Sequence, residues 1–374
     1  MNIFGYIKKY GKFSFTMEPF NEVDNVILSC ISYVDFLNIV SKGSLVKRRL
    51  EDVAKEYFSN NTKRDNKKNI SEVRTGIKLL YEVWHTKRYR DILMFNYMYV
   101  GSSSSQFSAI SFEYMKNYVY VAFQGTDELL SGWEEDFKIA YSYPVPAQRY
   151  AINYLKRKYL LSHNNFILGG HSKGGHLAII ALMEAPTFLS KKIVYVYSND
   201  GLGLRKEEYY SKKYQRIKDK IVKIIPDYSV VGVILQYDTN FMVVKSKTKG
   251  FFAHNPKGWL IEDNHFLNTR LTRFSLVIKE GMSRWLDSYT YREKHDFACS
   301  IFDLARKYKF KSLLDFKKRK LDFFRMVASS KNVDEKTKEM AKRLVSIIRK
   351  CNKEYKEDLW KYYLCQIFTV LSII

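Results

Sequence analysis

Apolar and polar positions alternate with helical spacing at the start of the chain. Residues 18–36 place apolar side chains on one face, which predicts a helix with Asn21 or Asp24 as its cap. Residues 43–68 are mostly polar, and we predict a surface loop there. Further helices are predicted over about 71–84, 147–160, 175–189 and 204–219.

Short segments rich in β-branched and aromatic residues lie between these helices and predict strands. They cover about 92–100, 106–112, 118–123, 165–168, 193–197, 221–225, 241–245 and 259–261. Strands that alternate with helices predict an α/β fold, a mostly parallel sheet with helices on both faces. After about residue 270 the strand pattern stops and four or five helices follow, one of them over 333–350. The chain therefore divides into a sheet domain over 1–270 and a helical domain over 271–374.

Overall composition narrows the class of protein. The formal net charge is +24, and residues 271–374 contribute +11 of it, with 24 basic and 13 acidic residues. Such a charge favours an anionic partner, either a nucleic acid or an acidic membrane surface. No zinc-finger spacing or RNA-recognition aromatic motif accompanies the charge, so we expect no specific nucleic-acid binding. The terminal run 360–374 is apolar but too short to span a bilayer, and it could pack as core, meet an anionic membrane or bind a helical protein partner.

Targeting and cofactor signals are scarce. No segment has eighteen consecutive apolar residues, and the first residues do not form a Sec signal peptide. We expect a cytoplasmic protein, or one secreted without a Sec signal, peripheral to the membrane if the charge serves that purpose. The four cysteines have no CxxC or zinc spacing, so reduced thiols are expected, with no metal and no cofactor.

The strongest chemical motif is G-x-S-x-G, formed by Gly170, Ser172 and Gly174. An apolar strand precedes it and a small-residue helix follows, which is the strand–turn–helix setting of a nucleophile elbow. The glycines remove Cβ atoms that would block the strained turn around the serine. We therefore predict Ser172 as a nucleophile.

A serine hydroxyl needs a base, and the base needs a carboxylate that orients it. Among the downstream histidines, His254 follows a predicted strand and is preferred over His265. Two aspartates stand just after predicted strands, where an α/β sheet places its functional groups. Asp227 is the preferred acid, and Asp200 is the alternative, because its Asp-Gly sequence is also a turn signal.

The oxyanion that forms when a serine attacks a carbonyl needs two preorganised donors. One is the backbone N–H of Lys173, directly after the nucleophile. The other is expected at the end of an earlier strand, where Thr126 follows VAFQG and offers both its N–H and its hydroxyl.

These motifs together resemble a known family. VAFQGT followed by WEEDF is similar to the "FRGT … W..D" segment of class 3, fungal-type lipases, and GHSKGG is similar to their GHSLGG elbow. PFNEVDN and HNPKGW bring the chain closer to a bacterial Mbeg-like branch, over about residues 15–265. The resemblance implies an α/β-hydrolase fold over 1–270 and a serine esterase that acts on lipids, of lipase or phospholipase A type. It also implies Ser172 as nucleophile, Asp227 as acid, His254 as base, and Thr126 and Lys173 as oxyanion donors.

Two positions depart from the lipase pattern. Gln124 stands in place of the usual Arg, and Lys173 in place of the usual Leu, although Lys is typical of the bacterial branch. Within that branch, type VII-secreted lipase toxins have a similar order, a lipase domain followed by a helical targeting domain. The resemblance therefore implies an alternative function as a leaderless antibacterial effector. A hydrolase-fold protein that binds without turnover is the remaining alternative.

Overall fold

A computed structural model describes residues 1–60, 71–102, 105–126, 130–237, 240–310 and 333–355. Its main sheet contains, in spatial order, β1 (Arg48–Arg49), β2 (Leu93–Gly101), β3 (Gln106–Met115), β4 (Tyr118–Phe123), β5 (Asn165–His171), β6 (Ile193–Asn199), β7 (Ile221–Pro226) and β8 (Met242–Val244). The first four strands pair antiparallel, and β4 to β8 are parallel. A separate two-stranded sheet pairs β9 (Ile261–Glu262) with β10 (His265–Phe266).

Helices cover both faces of this sheet. They are α1 (Ile3–Tyr10), α2 (Glu22–Ile31), α3 (Leu50–Asn60), α4 (Ser71–Val83), α5 (Leu130–Ile139), α6 (Pro146–Tyr159), α7 (Lys173–Met183), α8 (Thr187–Lys192), α9 (Lys206–Tyr209) and α10 (Lys212–Gln215). One core joins α1 to α4 with one face of the sheet, and a second joins α6 and α7 with the other. The predicted α/β fold with helices on both faces is confirmed.

The N-terminus of α2 shows how local sequence sets these boundaries. The Asn21 side chain accepts hydrogen bonds from the backbone N–H groups of Val23 and Asp24, and the Asp24 carboxylate accepts one from the Asn21 N–H. This is a capping box, which satisfies N–H groups that the helix itself leaves unpaired. Both residues proposed as caps therefore act together.

Two local predictions are wrong. The polar stretch expected as a loop over 43–68 contains β1 and α3, while residues 61–70 lie outside the described part of the chain. Leu50, Val53 and Ala54 give α3 a buried face that its many charged residues obscure. The strand expected over 259–261 pairs only outside the main sheet.

Within the described residues three further helices follow the sheet, where four or five were predicted over the whole segment: α11 (Arg273–Asp287), α12 (Tyr291–Lys307) and α13 (Glu335–Glu354). They form one core with α5, in which the rings of Phe137 and Phe297 stack at 5.9 Å and Arg306 pairs with Glu134 at 2.6 Å. A domain boundary at residue 270 stays a prediction, and the apolar run 360–374 lies outside the described residues. Among the described helices, none has both the length and the apolar character of a bilayer-spanning segment.

Trp285 lies in the core that α5 shares with α11, α12 and α13. Its side chain is fully buried and its indole N–H donates to the Met340 backbone oxygen at 2.9 Å, which joins α11 to α13. We predict that Trp285→Ala lowers the free energy of unfolding by about 3–5 kcal/mol, because it leaves a large cavity. Urea denaturation measures the loss. Tyr291→Ala, at a position 57% exposed, is the control and should cost less than about 1 kcal/mol. Equal small losses would contradict a packed helical core.

Candidate active site

Ser172 lies in the tight turn between β5 and α7. Its backbone has φ +59°, in the left-handed region that non-glycine residues rarely adopt. Its N–H donates to the Asn199 backbone oxygen at 2.9 Å, which ties the turn to the end of β6. The Ser172 side chain is half-buried, so its hydroxyl lies near the surface of the site.

The flanking glycines have the role that the sequence predicts. A Cβ on Gly174 would lie 2.0 Å from the Phe123 backbone oxygen, and one on Gly170 would lie 2.3 Å from the Gly174 carbonyl carbon. Neither position has room for a side chain, since such contacts are far inside van der Waals distance. Only glycine lets β4, β5 and α7 approach this closely.

His254 ends a short 3₁₀ helix, Gly250–His254, beyond β8. Its Nδ1 lies 2.7 Å from Oδ2 of Asp200, and both side chains are buried. A carboxylate can only accept, so Nδ1 carries the proton and Nε2 of the neutral ring is left as the basic nitrogen. This is the tautomer that a general base for a serine requires.

Asp200 itself is firmly held. It follows β6 with φ +47°, and its N–H donates to the Ile224 backbone oxygen at 2.7 Å. Its Oδ1 accepts from the Ser229 hydroxyl at 2.5 Å and from the Gly232 N–H at 3.0 Å. These bonds leave Oδ2 to orient His254.

The structure pairs His254 with Asp200, the alternative acid, and not with the preferred Asp227. Asp227 pairs with the Lys245 ammonium at 2.8 Å and accepts from the Ser246 N–H at 3.1 Å. Its backbone oxygen accepts from the Thr272 hydroxyl at 2.9 Å, at the N-cap of α11. The physical reason is position in the sheet: β6 is the neighbour of β5, which leads to Ser172, whereas β7 is one strand further away. Asp227 fixes the connection to the helical segment instead.

His265 and His176 have partners outside the elbow turn. His265 lies 2.9 Å from a Glu22 carboxylate oxygen, away from the turn, and His176 is held between Gln148 and the Gly203 backbone oxygen. Burial lowers the pKa of His176 to about 4, which keeps it neutral.

His171, the residue before Ser172, was not predicted as part of the site. Its Nε2 lies 2.7 Å from the His254 backbone oxygen and its Nδ1 lies 3.0 Å from the Tyr33 hydroxyl. A carbonyl only accepts, so Nε2 is protonated and Nδ1 accepts from Tyr33. Burial, and then the neighbouring charge of His254, lowers the pKa of His171 well below its usual range. The ring centroids of His171 and His254 are 4.3 Å apart, so His171 fixes the position of the His254 ring. Its place inside G-x-S-x-G was the only available signal.

The candidate oxyanion donors lie on the other side of the nucleophile. A Cβ on Gly125 would lie 3.0 Å from the Cβ of Ser172, so the backbone that leads into Thr126 passes close to the serine. The Thr126 hydroxyl donates to Asp136, while its N–H has no hydrogen bond to another described residue. Lys173 is the first residue of α7, where helix geometry leaves N–H groups unpaired within the helix. The Thr126 hydroxyl, expected as an oxyanion donor, is thus hydrogen-bonded to Asp136 in this structure.

The structure pairs His254 with Asp200 and packs the His254 ring against His171, the residue before Ser172, but the Ser172 hydroxyl makes no hydrogen bond to a described residue. Catalytic contacts of this kind often tighten only when substrate binds. In the described parts of the chain, no group of three His, Cys, Asp or Glu side chains is arranged to hold a metal ion.

The sheet, the elbow and the helices that follow define an α/β-hydrolase fold with a C-terminal helical region. The chain belongs to the Mbeg1-like family, whose sequence profile matches residues 83–303. The sequence-based resemblance to that branch is confirmed.

Comparison with other proteins adds little. Among solved structures, the chain is similar to one described as the crystal structure of M37 lipase, with 12% sequence identity and a TM-score of 0.30 over 57% of this chain and 70% of that one. No curated protein sequence matches the chain.

The acid assignment predicts a difference between two conservative substitutions. Asp200→Asn removes the charge that orients His254 and stabilises its protonated form, so the rate at which a fluorophosphonate labels Ser172 should fall by about 10⁴-fold. Asp227→Asn should reduce the rate far less, because Asp227 does not contact His254. Mass spectrometry of the labelled peptide gives the rates, and thermal unfolding confirms that both variants are folded. The reverse order of rates would return the acid role to Asp227.

Proposed function

We propose that this protein is a serine hydrolase that cleaves carboxylic esters of lipids through a Ser172–His254–Asp200 triad and an acyl-enzyme. The observation that carries the proposal is the 2.7 Å bond between His254 and Asp200 beside a serine held at φ +59°. A nucleophile, a base and an orienting carboxylate converge at the carboxyl ends of β5 and β6, the edge of the sheet that open α/β folds use for chemistry.

The geometry supports a two-step acyl transfer. Ser172 Oγ attacks the ester carbonyl while His254 Nε2 takes its proton, and Asp200 stabilises the imidazolium that forms. The N–H groups of Thr126 and Lys173 receive the charge on the carbonyl oxygen. His254 then returns the proton to the leaving alcohol, which frees it and leaves the acyl group on Ser172. A water activated by His254 releases the acid in the second step.

The lipid part of the proposal has separate support. It rests on the similarity of the VAFQGT, WEEDF and GHSKGG segments to class 3 lipases and on the +24 net charge, which favours assembled anionic lipid over a neutral soluble ester.

The test is a panel of short-chain esters, neutral glycerides and phospholipids, given to the wild type beside Ser172→Ala. We expect turnover of at least one lipid class and a loss of about 10⁴-fold or more in Ser172→Ala, because triad members act as a unit. Thermal unfolding of the variant controls for folding. Turnover that survives Ser172→Ala would contradict the triad, and a wild type that neither turns over esters nor reacts with fluorophosphonate would favour a binding protein with this fold.

A further inference from the structure

The Lys173 side chain is fully buried, which is rare for lysine. Its ammonium lies 3.2 Å from Oε2 of Glu135 and 3.6 Å from Oδ1 of Asp136, and it donates to the Gln106 backbone oxygen at 3.1 Å. A charge removed from water is tolerated only when opposite charges and hydrogen bonds compensate for the lost hydration. Lys173, Glu135 and Asp136 therefore form one buried unit, here called the Lys173 cluster.

This cluster joins the two candidate oxyanion donors. Asp136 accepts a hydrogen bond from the Thr126 hydroxyl, and Lys173 is the residue directly after Ser172. A single carboxylate thus connects the residue that ends the β4 turn with the residue that starts α7. The relative position of their backbone N–H groups depends on that connection.

The cluster is anchored on its far side by Glu135. This carboxylate accepts from the Ser105 hydroxyl at 2.8 Å, from the Gln106 N–H at 3.2 Å and from the Ala147 N–H at 2.8 Å. Glu135 therefore fixes the ammonium against β3 and the start of α6. Burial raises the pKa of Asp136 to about 6, and the Lys173 ammonium opposes that rise.

We propose that Lys173 is a positioning residue, whose ammonium holds Asp136 and through it Thr126, so that both oxyanion donors face the carbonyl oxygen together. The proposal rests on the proposed function, since it assumes that Ser172 attacks a carbonyl. It assigns a purpose to the lysine that replaces the usual leucine of the lipase elbow.

The experiment compares Lys173→Met with Lys173→Met/Glu135→Gln. Lys173→Met leaves the buried carboxylates of Glu135 and Asp136 without their positive partner. Glu135→Gln removes one of these two negative charges, which lowers the risk that the double variant fails to fold. We expect both to lower the rate of Ser172 labelling by fluorophosphonate about 100-fold, the effect of losing one oxyanion donor, and to lower kcat for esters with little change in KM. Arg88→Met is the matched control, because Arg88 and Asp24 form another fully buried ion pair, at 2.5 Å, outside the site. It should lose stability and keep its labelling rate.

A pH profile separates positioning from a purely structural role. Asp136 faces the Lys173 ammonium and the Glu135 carboxylate, so removal of the ammonium raises the Asp136 pKa further above 6. The acid side of the labelling profile should then move to higher pH in Lys173→Met and stay in place in Arg88→Met. Glu135→Gln removes a like charge and opposes this move, so the profile is measured on the single variant.

Folded Lys173 variants that label at the wild-type rate, or an unmoved pH profile in folded Lys173→Met, would overturn the positioning role alone. A wild type that never reacts with fluorophosphonate would instead overturn the proposed function, and the positioning role with it.

A second, independent observation concerns the loop that carries His254. Residues 245–258, here called the His254 loop, close on themselves through a bridge between Ser246 and Trp259 and a 2.9 Å bond from the Lys247 N–H to the Gly258 oxygen. The loop has no acidic residue. Its four lysines are exposed, and Phe252, two residues before His254, is 67% exposed.

Most of this positive charge is uncompensated. Lys245 pairs with Asp227, but among the described residues no carboxylate pairs with Lys247, Lys249 or Lys257. Exposed cations and an exposed aromatic ring on one loop match a surface of anionic head groups above an apolar layer. We infer that the His254 loop docks on anionic lipid membranes and brings the base and Ser172 to the lipid, an inference that rests on the proposed function.

The test measures vesicle binding in the Ser172→Ala background, so that lipid is not consumed. Flotation with phosphatidylglycerol vesicles is compared with phosphatidylcholine vesicles. Changing Lys247, Lys249 and Lys257 to Gln should weaken binding to the anionic vesicles by about 100-fold, at roughly fivefold per lysine, and Phe252→Ser should weaken it further. The matched control changes the exposed Lys116, Lys212 and Lys218 to Gln, which alters the net charge equally at other places.

Equal losses in the two triple variants would show that total charge drives binding and would overturn the docking role of the loop. Wild-type protein that ignores anionic vesicles would overturn it as well. Either result leaves the hydrolase proposal to be judged by fluorophosphonate labelling and ester turnover.

Discussion

The left-handed backbone at Ser172 is the constraint on which the rest of the site depends. A non-glycine residue in that region costs on the order of 1–3 kcal/mol, so the surrounding structure must hold it there. Here the Ser172 N–H is bonded to the end of β6, and glycines at 170 and 174 let the neighbouring chain approach. The same bond to Asn199 places the next residue, Asp200, beside the turn. One strained residue thus decides which strand supplies the carboxylate that contacts His254.

Local patterns were sufficient for most of the fold. Short segments rich in β-branched and aromatic residues predicted the strands from β2 to β8, and the elbow followed from a strand, glycines and a small-residue helix. The acid could not be predicted in the same way, because Asp200 and Asp227 both follow strands. Which aspartate contacts His254 depends on where the His254 loop folds back onto the sheet. His254 is 54 residues after Asp200, so this contact is a long-range property of the fold. The Asp-Gly turn signal at Asp200 was real, but the turn presents the carboxylate instead of merely ending the strand.

Buried polar groups account for the other omissions. Sequence reasoning treated Lys173 only as a source of a backbone N–H, because lysine side chains are normally solvated. The carboxylates that receive its ammonium come from α5, 37 and 38 residues earlier in the chain, and no local spacing connects them. His171 was overlooked for a similar reason, since its partners Tyr33 and His254 are distant in sequence. The prediction of a loop over 43–68 failed for a different reason, because the many charged residues of α3 obscured its short apolar face.

Helix α5 has two sets of contacts with a common consequence. One side supplies Glu135 and Asp136 to the buried lysine, and the other packs Phe137 on Phe297 and pairs Glu134 with Arg306 of the C-terminal helices. The two regions are therefore thermodynamically linked through a single rigid element. A ligand of the C-terminal helices that prefers one position of α5 would change the affinity of the candidate active site for its own ligand, and that ligand would change the affinity of the helices by the same factor. Through α5, the C-terminal helices are therefore connected to the candidate active site as well as packed beside it.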